Sequence, residues 1–373
     1  MPRPRCGRGV IVRLPGRRHS MTSHPLDSGA GPETIDPLTD PSWDRRLAGH
    51  PEASFFHGTA WVRVLQETYG FKPAFLVQHD AGQYRAMIPA MEIDSWLTGR
   101  RGVALPFTDE SGPLCDEPAR FPEFFKRALA VARQRGWRYL ECRGGRTLFP
   151  SAPASTSFFG HRLDLTPKEE TLFATVDGSV RRAVRKGEQA GLTITFSQTP
   201  EATETFYQLL CRTRRKHGLP AQPYRFFANI QRHILAPNHG QVALAHHGSE
   251  PVAGAVFFHL GTSALYKFGA SDETRQHLRA NNLLMWEAIR WHAQRGFRSL
   301  DFGRTSVANS GLRRYKLGWG AVERTVDYVR YDLRRDEFVT VPDGAAGWHN
   351  QLFRALPISL SRLAGSVLYK HVA

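Results

Sequence analysis

No apolar run in this 373-residue chain approaches the ~20 positions that a bilayer-spanning helix needs. The longest, near residues 252–260, has the length of a strand. Cysteine is scarce: Cys6, Cys115, Cys142 and Cys211 form no CxxC pair and no metal-ligand spacing. That argues against a disulfide scaffold or a zinc site and fits reduced thiols in a cytoplasm. HExxH, a Walker phosphate loop, a GxGxxG in strand–helix context and a Ser–His–Asp order are all missing. The histidines are scattered, and His246-His247 beside a turn reads as a solvated pair. Neither a metal nor a tightly bound cofactor is expected.

Acidic residues are the other shortage. Asp and Glu number 34 against 50 Lys and Arg, for a net charge of +16, and the first twenty residues hold six arginines and no acid. Such an excess suits a polyanion, whether tRNA, a pyrophosphate or an anionic membrane, and equally suits a basic soluble protein without such a partner.

Residues 1–40 are rich in Arg, Pro, Gly and Ser without periodicity, so disorder is expected there, with Met21 as an alternative start. They have no apolar core for a signal peptide. A first domain is expected over 41–165. It has a helix at 59–69, strands at 74–79 and 84–92 around Asp80-Ala81-Gly82, an irregular stretch at 93–118, a helix at 121–135 and a strand at 137–142. A small-residue linker, 151–157, leads to a second domain over 166–335. It opens with a basic helix at 172–192, then a strand at 193–196 and helices at 203–217 and 224–235. In a final strand, 322–328, Val322, Val326 and Tyr328 alternate with polar residues. The tail, 336–373, carries an amphipathic helix with Leu360, Leu363, Ala364, Val367 and Leu368 on one face. Such a helix more often packs on its own protein than lies on a membrane.

Two recurrences point to a duplicated domain. Gln134 to Glu141 aligns without a gap with Gln294 to Asp301, at an offset of 160 residues, and the hairpin at 75–89 resembles that at 242–256.

The richest stretch is 264–321. A strand at 264–268 leads through a polar loop into a helix on which Leu284, Met285, Ala288, Ile289 and Trp291 share a face. Asn282 is its expected N-cap, and Arg295-Gly296 a basic last turn with a left-handed stop. A strand follows at 297–302, ending at Asp301 and Gly303, then a short helix at 310–317. The two strands should be parallel neighbours, with polar residues collected where they end.

This arrangement resembles the Gcn5-related N-acetyltransferase (GNAT) superfamily. Its late segment Tyr315-Lys316-Leu317-Gly318-Trp319-Gly320 resembles the aromatic-Lys-x-Gly-aromatic-Gly signature of the FemAB and BioF2-like branch. The resemblance covers roughly residues 43–332. It implies a mixed α/β (α+β) fold with tandem GNAT-like acyl-CoA N-acyltransferase domains, the active site lying in the second. It also implies that Lys316 sits near the reacting carbonyl. Acyl transfer to an amine needs two oriented substrates, a proton acceptor and a positive dipole at the developing oxyanion. Lys316 supplies the charge and Asp301 the acceptor, although Glu141 holds the equivalent place in the first copy. Tyr266, Ser271, Asn281, Arg304, Tyr315 and Trp319 are the expected substrate-binding residues.

CoA-binding acetyltransferases carry a glycine-rich loop before the core helix, whose N–H groups cradle the pyrophosphate. Here residues 272–281 contain no glycine. Arg275 and Arg279, with Arg181, Arg182, Arg185 and Lys186 on the basic helix, suit a phosphate backbone instead. An aminoacyl-tRNA donor is therefore ranked ahead of acyl-CoA. The expected function is transfer of an acyl or aminoacyl group onto an amine of a small molecule, or of a lipid-linked or sugar-linked precursor of the cell envelope, peptidoglycan or exopolysaccharide. The alternatives are a non-catalytic module binding tRNA or another polyanion, and a scaffold in envelope assembly. The expected location is cytoplasmic, or peripheral at the inner face of the membrane through the C-terminal helix.

Overall fold

A computed structural model describes residues 32–80, 83–341 and 357–371. Its strands in the first half are β1 (Glu33–Ile35), β2 (Lys72–Pro73), β3 (Phe75–Asp80), β4 (Gln83–Ile88), β5 (Ala90–Ser95), β6 (Gly99–Ala104), β7 (Leu114–Cys115), β8 (Tyr139–Arg143) and β9 (Thr156–Asp164). Those in the second are β10 (Leu192–Ser197), β11 (Gly240–His247), β12 (Glu250–Leu260), β13 (Ser263–Ser271), β14 (Ser299–Ser306), β15 (Val322–Asp332) and β16 (Glu337–Val339). The α-helices are α1 (Trp43–Leu47), α2 (Thr59–Tyr69), α3 (Phe121–Gln134), α4 (Glu169–Thr175), α5 (Gly178–Gln189), α6 (Pro200–Lys216), α7 (Tyr224–Ile230), α8 (Ala280–Gln294), α9 (Ser310–Leu317) and α10 (Ile358–Leu368).

Each half builds the same crossover from the same local signals. Helix α3 buries Phe121, Phe124, Phe125, Ala128 and Ala132, spaced three and four apart, and stops at Gly136 with φ 69°. It connects β6 to β8, which pair in parallel, Gly102 opposite Leu140. In the second half α8 stops before Gly296, φ 79°, and connects β13 to β14, which pair in parallel with Ser263 opposite Ser299.

The halves then exchange strands. β9, leaving the first half, pairs antiparallel with β14 of the second, Asp301 opposite Arg162. β15, leaving the second, pairs antiparallel with β8 of the first, Arg330 opposite Glu141. β9 and β15 pair with each other at the centre, Phe158 opposite Val326. The result is one 12-stranded sheet in which β14-β9-β15-β8 is related to itself by a local two-fold. The internal repeat is present, and its copies, on either side of the boundary expected at 165/166, share a sheet. They share a core as well, because Trp43, Trp61 and Phe75 pack in one cluster with Phe206, Phe226 and Phe258.

Other expectations shift for local reasons. Residues 33–35, taken as part of a disordered segment, pair with β3 and cover its edge; residues 1–31, with Met21, lie outside the described residues. The strand expected at 84–92 breaks at Pro89, which cannot donate to a ladder. It becomes β4 in a separate four-stranded sheet and β5 in the large one. The stretch 93–118 contains β6. Thr156 and Ser157, expected in the linker, already belong to β9. The basic helix splits where Asp177 caps α5 by accepting from Ser179 N. Helix α7 continues as a single π-turn, Gln231–Leu235. Asn282 lies inside α8, whose N-cap is Arg279 at φ 57°. Val322 is 74% exposed although Val326 and Tyr328 are buried. β16 puts the first residues of the tail into the sheet. No helix among the described residues is long and apolar enough to cross a membrane. Cys115, Cys142 and Cys211 are buried free thiols.

Strand exchange has a direct consequence. Residues 1–165 and 166–373 produced as separate chains should each lack a cooperative urea transition and recover one when mixed. A cooperative transition from 166–373 alone would contradict the shared sheet.

Candidate active site

β13 and β14 are hydrogen-bonded neighbours over three residues, Ser263–Leu265 against Ser299–Asp301, and then part. β14 continues beyond its expected end through an irregularity between Asp301 and Arg304. Gly303 permits it, with φ 68°; a Cβ there would lie 3.1 Å from the Asp109 carboxyl. The bulge turns Asp301 and Arg304 into a cavity of about 450 Å³, walled by β9, β14 and β15 and by the loops around Phe55, Asp109 and Arg146.

The cavity is lined by charges of both signs. Asp301 accepts from Gly303 N at 2.7 Å, and Arg324 is 3.6 Å away while also pairing with Glu110. Arg304 stacks over Phe158, 4.3 Å to the centroid, and donates to the Tyr328 hydroxyl at 2.6 Å. That hydroxyl donates to the Asp109 carbonyl at 2.9 Å. Arg162 donates to Ser299 Oγ at 2.9 Å.

Lys267 and Asp109 form a partnership the sequence reading missed. The Lys267 side chain, 6% exposed, donates to Asp109 Oδ2 at 2.7 Å and to the Phe107 carbonyl at 2.8 Å. Burial alone would raise the Asp109 carboxyl, but Lys267 and Arg304 outweigh it and hold the group below the usual range. The available signal was a lysine inside the apolar run Leu265-Tyr266-Lys267-Phe268, where an unpaired charge would be costly. Asp109, in a stretch read as irregular, gave none.

The expected site residues divide. Asp301 and Arg304 line the cavity. Lys316, 2% exposed, lies behind the bulge and donates from α9 to the Gly303 and Arg304 carbonyls at 2.9 and 3.0 Å. Burial lowers its ammonium to about 8, against the opposing pull of Asp109 and Asp301. Half-buried Tyr315 reaches toward the Asn281 carbonyl, 3.5 Å from its hydroxyl, where the exposed Asn281 opens α8. None of Lys316, Tyr315 and Asn281 lines the cavity, and three further residues do not meet it either. Trp319 is wholly buried in the core. Tyr266 packs on Phe257 and Phe302 and lies across Gly269, on the opposite face of β13 from Leu265. Ser271 is tied at the far end of β13 to Thr213, whose hydroxyl accepts from Ser271 N and donates to its carbonyl.

Of the basic set, Arg182, Arg185 and Lys186 stand exposed on α5, and Arg181 is half-buried. Gly187 lets α5 approach the start of α8, where a Cβ would be 2.9 Å from Leu283 Cβ. The strip therefore flanks the N-terminus of α8, which has no side-chain cap. Arg275 is paired with Glu250 at 2.8 Å, which weakens its expected phosphate role; Arg279 caps α8 through its left-handed backbone.

Residues 176–317 match the family model described as an acetyltransferase (GNAT) domain. That stretch of the chain is therefore similar to a GNAT domain. The described fold is similar to that of tandem GNAT proteins of known structure. The structure of FemX superposes with a TM-score of 0.63 at 13% identity, over 80% of this chain and 97% of that one. A tandem GNAT protein from the clavulanic acid biosynthesis pathway gives 0.52 at 12%, over 81% and 98%. The C-terminal domain assigned to a lysylphosphatidylglycerol synthetase of Agrobacterium fabrum gives 0.50 at 15%, over 76% and 90%. The comparison with curated proteins found no match.

The repeat separates two acids that the sequence could not rank. Glu141 sits between Arg143 (2.9 Å) and Arg330, and although burial opposes it, these cations hold its carboxyl low. Asp301, at the equivalent position, has its pKa raised by burial, with Arg324 and Gly303 N–H only partly opposing. Opposite shifts in equivalent positions mark one acid as structural and the other as the candidate base.

The Lys267–Asp109 pair can be tested by removal. Lys267→Met, removing the ion-pair partner of the buried Asp109, should cost about 3–5 kcal/mol by urea unfolding. The Lys267→Met/Asp109→Leu double variant should recover most of that, and equal losses in both would refute the coupling.

Proposed function

We propose that the protein transfers an aminoacyl or acyl group onto a primary amine held in the cavity between β9, β14 and β15. The carrying observation is Asp301, raised in pKa and turned into the cavity at the point where β13 and β14 part. The amine nitrogen attacks the donor carbonyl carbon, the carbonyl electrons move to oxygen, and Asp301 accepts the proton released from nitrogen. Collapse of the tetrahedral adduct expels the donor's alcohol or thiol, which leaves with that proton. Two of the three Lys316 N–H groups are committed to the Gly303 and Arg304 carbonyls. Its positive charge, held behind the bulge, supports the oxyanion through space. Arg162, Arg304 and Arg324 suit an acceptor that also carries anionic groups, such as a sugar-linked or lipid-linked phosphate.

The donor would reach the carbonyl between β13 and β14 from the α8 side. The exposed strip Arg182, Arg185 and Lys186 beside the α8 N-terminus supports an aminoacyl-tRNA, as do the FemAB-like fold and the neighbour named for a lysylated phospholipid. A second reading, acyl-CoA, is favoured by the uncapped α8 N-terminus, which suits a pyrophosphate.

Transfer from both donors to pooled amine acceptors, followed by mass spectrometry, tests this reading. Activity should fall on the acid side as Asp301 protonates, and again as pH rises through about 8, where Lys316 loses its charge. Asp301→Asn should lower kcat by ~10²–10⁴ and Lys316→Met by ~10²–10³. Undiminished turnover in Asp301→Asn would rule out its role as base.

A further inference from the structure

The C-terminal helix is fixed with its apolar side outward. Ser361 is buried, and Gly365 packs so closely that a Cβ would lie 1.8 Å from the Ala221 carbonyl oxygen. The Tyr369 hydroxyl donates to the Pro220 carbonyl at 3.1 Å, and its ring meets Phe107 edge-on at 5.7 Å. His371 closes the end, its Nδ1 2.8 Å from Ser95 Oγ and its carbonyl accepting from Arg101 at 2.8 Å. Small residues thus hold α10 to the protein, while Leu360, Leu363 and Val367 are 50%, 63% and 51% exposed. These three share one face, and the hairpin tip that holds His371, just beyond the end of α10, is apolar as well. There Trp96 is 86% and Leu97 56% exposed, the Trp96 ring 5.7 Å from His371. Several large apolar side chains grouped on one surface mark an interaction site.

The charges around this face choose the partner. Arg362 is exposed on α10 and Lys370 just beyond its end, Arg215 is exposed at the end of α6, and residues 344–373 contain no acid. Glu92 and Asp94 near the hairpin tip are engaged by Arg135 and Arg100, and Glu273 by Lys216. We propose that this face docks on an anionic lipid bilayer. α10 would lie in the interfacial plane, Leu360, Leu363, Val367 and Trp96 entering the headgroup–acyl boundary and the basic residues meeting lipid phosphates. A second copy of the chain fits less well, because isologous pairing would set two faces of the same positive charge against each other. The docking rests on nothing in the catalytic reading, and either can fail alone.

Flotation of the full chain with phosphatidylcholine vesicles, with and without phosphatidylglycerol, tests it. The wild type should bind the anionic vesicles and release with salt. Leu360→Ser/Leu363→Ser/Val367→Ser should weaken binding by ~10-fold or more at unchanged melting temperature. Three results would overturn the proposal: no binding to either vesicle, binding unaffected by the triple substitution, or a solution dimer that the triple substitution dissociates.

Discussion

The antiparallel pairing of β9 with β15 is the constraint on which the rest of the structure depends. Each strand has left its own half, so the pairing joins two copies of a β–α–β unit into one sheet around a local two-fold. It also brings β14 alongside β9, and the wall of the cavity is made from that contact. Arg162 and Gly160 reach the cavity from the first half, Asp301 and Arg304 from the second. Neither half holds a complete site.

Duplication supplies two strand-end acids, and their surroundings give them different work. Glu141 is enclosed by Arg143 and Arg330 and cements the β8–β15 seam. Asp301 has Arg162 opposite it in register, yet that guanidinium turns to Ser299, leaving Arg324 at 3.6 Å as the nearest cation. The bulge at Gly303 completes the difference by exposing Asp301 to the cavity, and Lys316 pins the bulge from behind. Burial of Lys316 on two carbonyls draws its pKa down to about 8.

Much of the second half was legible in the sequence because its signals are local. The 3.6-residue spacing and the Gly296 stop give α8, and helix α9 has the expected bounds, 310–317. The repeat of Gln134–Glu141 in Gln294–Asp301 pointed to the equivalent strands. What escaped is non-local. Periodicity says which face of a strand is buried but not which strand lies beside it, so the exchange of β9 and β15 was invisible. The reversed setting of α10 was hidden for the same reason: Leu360, Leu363 and Val367 show the same spacing whichever way they face, and the deciding contact is Gly365 on Ala221. Lys267 and Asp109 lie 158 residues apart, and no sequence spacing joins them.

The reaction site is tested most directly by an experimental structure of the protein with a bisubstrate phosphonate, in which a tetrahedral phosphorus joins an acyl chain to a primary-amine acceptor. The acceptor nitrogen is expected within about 3 Å of the Asp301 carboxyl, with the phosphonate at the opening between β13 and β14. An inhibitor bound with its amine outside the β9–β14–β15 cavity, and Asp301 untouched, would contradict the assignment.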